Sequence, residues 1–173
     1  MFSQVGQAGA RALYHWVFEA DAQYGEINGT TGGLQLSYWV DYWLARAFAS
    51  PPGANRLAVT NSDPQDVDVL AVRNDDGSVE VMVVNHGVAS AQDNNGHGAA
   101  ADVTLDLSAL HAFQTATLLT IDARTDPTTG PVATAVTPQA TLRVTLPGYG
   151  VTFVTLRWDG RWCTGDALRW VAA

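Results

Sequence analysis

The residues best suited to chemistry lie in two polar stretches. The first runs from Glu19 to Gly33 and carries Glu19, Asp21, Tyr24, Glu26 and Asn28. Two carboxyls there would do acid/base work only if burial raised the pKa of one partner. Nothing in the sequence indicates that burial, so solvated loop charges are the plainer reading. His15 and Glu19 share a face on an extended strand but stand about 13 Å apart, too far for one ion. The second stretch, residues 86–100, holds Asp93, Asn94, Asn95 and His97. Their oxygens suit calcium, yet the run lacks the ligand pattern and closing glutamate of a calcium-binding helix–loop–helix. No metal ligand set is expected. Cys163 sits in a Trp/Gly context with nothing to activate its thiolate. A Ser-His-Asp set is recognised by geometry, and none is identifiable here. There is no phosphate loop and no dinucleotide fingerprint, so no cofactor is expected. Asn28-Gly29-Thr30 fits a glycosylation acceptor, which matters only in a eukaryotic secretory route.

Composition narrows the classes further. The chain has 173 residues, is 47% apolar and carries a net charge of −8. That length supports one good core, or one domain with an appendage. All 9 cationic residues are arginine. No basic stripe exists to neutralise phosphates, so neither nucleic acid nor an anionic membrane surface is an expected partner. The single cysteine excludes an internal disulfide and any multi-cysteine zinc site. Met1–Ala10 has no basic start and no long apolar run, so it does not read as a signal peptide. The compartment stays open. Leu34–Ala49 is broken by Gln35, Ser37, Asp41 and Arg46, and is too short and too polar to span a bilayer.

Hydrophobic period divides the chain near residue 50. Residues 2–8 read as a helix tail stopped at Gly9. Arg11–Phe18 has bulky residues on both faces, as a strand buried on both sides does. The stretch from Glu19 to Gly33 reads as a 15-residue loop, with Thr30 or Thr31 as a helix cap. The spacing of Leu36, Val40, Trp43 and Ala47, widened by Trp39 and Leu44, predicts an amphipathic helix over 34–48 that wants burial against a sheet. Ser50-Pro51-Pro52-Gly53 stops it. From there alternation predicts about eight strands: 56–61, 66–73, 78–85, 101–108, 114–122, 131–136, 139–146 and 151–158. Asn74-Asp75-Asp76-Gly77 predicts a hairpin, and Pro147-Gly148-Tyr149-Gly150 another between the last two strands. One face of each strand is wet and one dry, as in an antiparallel sandwich. Residues 161–173 read equally as a strand or a short helix. The fold class expected is mainly β: an antiparallel β-sandwich preceded by a short strand–helix segment.

Leu13-Tyr14-His15-Trp16-Val17-Phe18, the polar loop, the Trp/Tyr-rich helix and the proline break resemble the final β/α unit of a clan A glycoside hydrolase barrel. Val69-Leu70-Ala71-Val72-Arg73, Asp76-Gly77-Ser78-Val79, Val83-Val84-Asn85 and Gly148-Tyr149-Gly150-Val151-Thr152 resemble the β-sandwich that packs on such barrels in the beta-xylosidase and alpha-iduronidase family and in arabinofuranosidase-like families. The resemblance implies that residues 1–50 are a remnant of a (β/α)8 barrel and residues 51–173 its C-terminal sandwich. In that family two glutamates, at the ends of the fourth and seventh barrel strands, are acid/base and nucleophile. Both positions would precede Met1, so no catalytic residue is expected on this chain. A retaining glycosidase needs two carboxyls about 5 Å apart, and removing the strands that present them removes the reaction.

By the same resemblance Trp16 matches an eighth-strand tryptophan that floors the sugar site; a core aromatic is the competing reading. Trp16, Glu19 and Tyr24 are the candidate substrate-binding residues. The expected function is an accessory, structural fragment of a glycoside hydrolase, inert alone. The alternative is a free-standing carbohydrate-binding or interaction sandwich, with Trp158, Trp162 and Trp170 as stacking candidates. A split enzyme, whose helix docks on a separately encoded barrel, is the third. Carbohydrate, as polysaccharide or oligosaccharide, is the expected partner. The missing barrel portion, or self-association through residues 1–50, is the other.

Overall fold

The computed structural model describes residues 19–20, 25–48, 55–88, 90, 98–110 and 113–158. Alternating sequence becomes strand and 3.6-periodic sequence becomes helix, in this order. β1 (Glu19–Ala20) and β2 (Ile27–Asn28) come first, then α1 (Leu36–Phe48) and β3 (Asn55–Arg56). β4 (Val67–Arg73), β5 (Val79–Asn85), β6 (Ala101–Asp106) and β7 (Thr115–Ile121) follow. β8 (Ala133–Val136), β9 (Thr141–Leu146) and β10 (Val151–Arg157) close the sequence of elements. The fold is mainly β, as the alternation predicts.

A six-stranded antiparallel sheet in the order β3-β4-β5-β10-β7-β8 forms the middle of the molecule. A second sheet of two strands, β6-β9, covers one face. Between them lies the larger core, built from Val67, Val79, Val83, Val154, Leu156, Leu142 and Leu146. α1 covers part of the other face. Its Leu36, Trp39, Val40, Trp43, Leu44 and Ala47 pack on Met82, Leu119, Ile121 and Phe153. The stripe read from spacing is therefore the stripe that meets the sheet. Period two explains both cores: along β10, Val154 and Leu156 face β6-β9 while Phe153 faces α1.

Two polar devices hold the layers in place. Asn85 is buried at the end of β5, with 2% of its surface exposed. Its side-chain amide donates to the carbonyls of Ala99 at 2.6 Å and Pro147 at 3.0 Å, and its oxygen accepts from Gly87 N–H at 3.0 Å. One side chain thus ties three segments that would otherwise bury unpaired carbonyls. The second device seats the helix. Trp39 Nε1 donates to the Pro127 carbonyl at 2.8 Å, and the indole lies against Gly130 in the β7–β8 turn. Gly130 has φ +77°, and a Cβ there would meet the Trp39 ring at 2.7 Å.

The structure corrects four expectations. The stretch from Glu19 to Gly33 is not all loop, because β1 and β2 pair in parallel within it. Thr30 and Thr31 do not cap the helix. Their backbone N–H groups donate to Asn28 Oδ1, closing a tight turn several residues before α1 starts at Leu36. The strand predicted over 56–61 pairs at Asn55–Arg56 and adds one hydrogen bond, from Leu57 N–H to the Ala71 carbonyl at 2.9 Å; further on the Asn61 side chain accepts from Asp63 N–H and donates to the Val67 carbonyl. The Pro147–Gly150 turn exists, with Gly150 N–H donating to the Pro147 carbonyl at 3.1 Å, but it is not a hairpin. β9 pairs with β6 while β10 pairs with β5 and β7, so the turn carries the chain across from one sheet to the other. The Asn74–Gly77 hairpin forms as expected, with Gly77 at φ 79°.

The helix stop at residues 50–53 and the readings over residues 2–8, 11–18 and 161–173 lie outside the described residues. Among the described residues no helix is long and apolar enough to cross a membrane.

Replacing Gly130 by alanine should detach α1 from its turn, because the new methyl meets the indole and the backbone sits where L-residues are strained. Urea unfolding should show Gly130→Ala less stable by about 1–3 kcal/mol. A loss confined to a few tenths would mean that the helix is not anchored there.

Candidate functional site

The side of the six-stranded sheet that carries α1 changes character along the strands. Under the helix the cross-strand row is apolar, Leu70–Met82–Phe153–Leu119. Two residues further along, the row is Val72–Glu80–Thr155–Thr117, and Arg157 then pairs with Thr115. A groove of 560 Å³ opens where the helix ends its cover, walled by Trp43, Arg46 and Ala47 of α1 and floored by this polar row. Trp43 and Arg46 reach it because they lie one turn apart on one helix face. The Arg46 guanidinium stands 5.8 Å from the Trp43 ring centroid, and the ring packs edge-on against Tyr42.

Glu80 is the unusual member. It lies in a central strand between Val79 and Val81 and is 7% exposed. Thr155 Oγ1 donates to its Oε2 at 2.7 Å. Burial pushes the Glu80 carboxyl above the ordinary glutamate range; the Thr155 hydrogen bond and the Arg157 charge pull it down without winning, and the nearby Asp76 charge adds to the rise. The Trp43 indole N–H is also buried and finds no acceptor among the described residues. The groove therefore joins an aromatic face, two guanidinium groups, a buried carboxyl and an unpaired donor. Among the described residues it offers a single carboxyl, and paired-carboxylate glycoside cleavage requires two.

Of the residues expected to bind substrate, Trp16 and Tyr24 lie outside the described residues, and of Glu19 the backbone is described, in β1. His15, Asp21, Asp93, Asn94, Asn95, His97, Trp162, Cys163 and Trp170 also lie outside them. Trp158 is described and is 40% exposed; its Nε1 donates to the Gly77 carbonyl at 2.9 Å, and its ring lies tilted against Phe113 with centroids 5.3 Å apart. Asn28 of the glycosylation motif spends its side-chain oxygen on the turn at Thr30 and Thr31. Among the described residues no group of three His, Cys, Asp or Glu side chains gathers to hold a metal. Sequence reasoning missed Glu80, Arg46 and Arg157. The available signal was Glu80 itself, a lone charge inside the run Val79–Val84.

No family model and no curated protein matches this chain. Solved structures do. The fold is similar to a family 30 glycoside hydrolase endoxylanase from Clostridium papyrosolvens C71, at TM-score 0.54 and 18% identity over 76% of this chain and 30% of that one. A family 30 subfamily 8 xylanase from Clostridium acetobutylicum gives TM-score 0.59 and 14% identity over 80% and 32%. The catalytic domain of a family 30 xylanase from Talaromyces cellulolyticus gives 0.52 and 20% over 76% and 27%. The chain spans about a third of the length of these proteins. The likeness to glycoside hydrolases read from the sequence thus holds at the level of fold.

The protonated form of Glu80 is the one the fold favours. Its stabilising contribution is full below the unfolded-chain value and is lost as pH rises through the raised folded value. Glu80→Gln keeps an acceptor for Thr155 and removes the charge. The variant should be more resistant to urea than the parent at neutral pH, and the gap should close as pH falls below the ordinary glutamate value. A variant that is weaker at neutral pH would show that Arg157 and Thr155 hold the carboxylate ionised.

Proposed function

We propose that this chain is a C-terminal accessory part of a glycoside hydrolase. Residues 1–50 are the remnant of a (β/α)8 barrel, its last strand and helix, and residues 51–173 are the sandwich that supports it. The chain lacks the catalytic glutamate pair and is inert alone. One observation carries this reading: α1, with its two tryptophans and two tyrosines, lies on the sheet without burying any residue fully. An amphipathic helix inside a finished domain buries its central apolar side chains below the surface. Here the outer aromatic surface and the groove beside it are left for further structure to cover.

The three solved structures compared above are named xylanases. A β-linked xylan is accordingly the substrate class of the whole enzyme we propose, with Trp16, Glu19 and Tyr24 lining the sugar side of the barrel's last unit. The alternative, a free-standing carbohydrate-binding sandwich, draws on the groove itself, where an aromatic ring stands beside arginine, carboxyl and hydroxyl groups.

Two measurements on the isolated chain separate these readings. Aryl β-xylosides and xylan should be left intact, and tryptophan fluorescence should not change on titration with xylan or arabinan oligomers. Saturable quenching, abolished by Trp43→Ala, would favour the binding module. Glycoside turnover by the purified chain would overturn both.

A further inference from the structure

We propose that the groove at the C-terminal end of α1 binds an aromatic carboxylate, with its ring beside Trp43 and its carboxylate between Arg46 and Arg157. The floor is not the binding surface. Glu80, Leu119 and Phe153 are 7%, 6% and 4% exposed and belong to the core beneath. What a ligand can touch stands above them, along an opening of 560 Å³. Arg46, Thr115, Ala133 and Arg157 are exposed there, and Trp43 and Thr117 are half-buried. A space of that size is in the range of small-molecule sites.

Charge sets one end of the ligand. Two of the 9 arginines of a chain with net charge −8 meet at this groove. Among the described residues neither forms an ion pair with a carboxylate. Arg46 stands over the Trp43 ring, and its one polar contact is a long one, 3.5 Å to the Tyr42 hydroxyl. A guanidinium over a ring keeps the N–H groups on its edge for another partner, and that edge matches a carboxylate with two parallel hydrogen bonds. The two acids that feel the Arg157 charge are otherwise engaged. Glu80 accepts from Thr155 and is favoured protonated. Asp76 Oδ1 accepts from the Ser78 N–H at 2.9 Å and from its hydroxyl at 2.6 Å, and Asp76 does not line the groove.

Hydrogen-bond supply sets the other end. The exposed side chains offer guanidinium donors and threonine hydroxyls, which serve as donor or acceptor, while the one carboxyl of the lining is the buried Glu80. A sugar ring carries a hydroxyl on nearly every carbon, and most of those donors would lose water without gaining an acceptor. A carboxylate brings acceptors only. An aromatic ring brings neither and covers apolar surface at Trp43 and Ala133. Inorganic phosphate would satisfy the arginines and leave that surface wet. This inference goes beyond the accessory reading and rests on the described groove alone.

The test is NMR of the full isotope-labelled chain, reading arginine and indole side-chain N–H signals during titration with benzoate, benzamide or inorganic phosphate. Benzoate should shift the Arg46, Arg157 and Trp43 signals together and saturate with a Kd of about 1 mM. Benzamide, of the same shape without the charge, should bind about tenfold more weakly or worse, and phosphate likewise. Arg157→Gln, at an exposed position, should keep the circular dichroism of the parent and weaken benzoate about tenfold, and Arg157→Lys should recover part of the loss. Glu80→Gln should leave benzoate binding in place. No saturation at tens of millimolar benzoate, equal binding of benzamide, or loss of binding in Glu80→Gln would overturn the proposal. Phosphate binding as tight as benzoate would make this a general anion site and overturn the aromatic assignment. None of these readouts depends on glycoside turnover, so failure here leaves the accessory reading standing, and the reverse holds too.

Discussion

The structure depends on one constraint: β5 and β10 are covered on both faces, so neither can shift register by a single residue. Val79, Val83, Val154 and Leu156 have no exposed surface in the core shared with β6-β9. Met82 and Phe153, one residue off, are nearly as deep under α1. In a sheet with one wet face a slip exchanges apolar for polar positions at one boundary. Here it would exchange two differently shaped cores at once. The valines meet flat strand surfaces from β6-β9, while the larger Met82 and Phe153 meet a helix rich in aromatic rings. The pleat is fixed because each set fits only its own layer.

The polar features follow from that fixed pleat. Once Phe153 points at the helix, Thr155 and Arg157 must point the same way further along β10. Register then sets Glu80 opposite Thr155. The groove is therefore the continuation of the helix-bearing face past the end of its cover. Asn85 does the corresponding work at the far end of β5, where its amide satisfies carbonyls from the 98–100 stretch and from the turn before β10. Gly98 permits that convergence: a Cβ there would meet the Gly148 Cα at 2.8 Å.

Much of this arrangement was legible in the sequence. Each of the strands from β4 to β10 falls within a stretch read as a strand, β3 overlaps its reading only at Arg56, and α1 falls on the stretch of helical spacing at 34–48, because burial on one side leaves a periodic trace. The sheet face under Trp39 and Trp43 was implied by the breadth of their apolar stripe. What was not legible has a common cause. Turn chemistry is local, and the partners it joins are not. Pro147-Gly148-Tyr149-Gly150 reverses the chain equally well within a sheet or between sheets, so the crossing from β9 to β10 left no distinct trace. Glu80 alternates like a wet residue, and nothing local in the sequence marks its burial. Asn61 carried no signal in the sequence and Asn28 only a glycosylation motif, yet both side chains close turns.

The order of strands in the large sheet has an outcome during synthesis. β10 sits between β5 and β7 but is the last of these to leave the ribosome. The β4-β5 hairpin emerges first and must keep an apolar, unpaired margin until Val151–Arg157 arrives to fill the gap. At translation speeds of about 5–20 residues per second that wait lasts seconds, ample time for a nascent chain to mispair or recruit a chaperone. The molecule is closed by a keystone strand, and any truncation upstream of it leaves two half-sheets with nothing to join them.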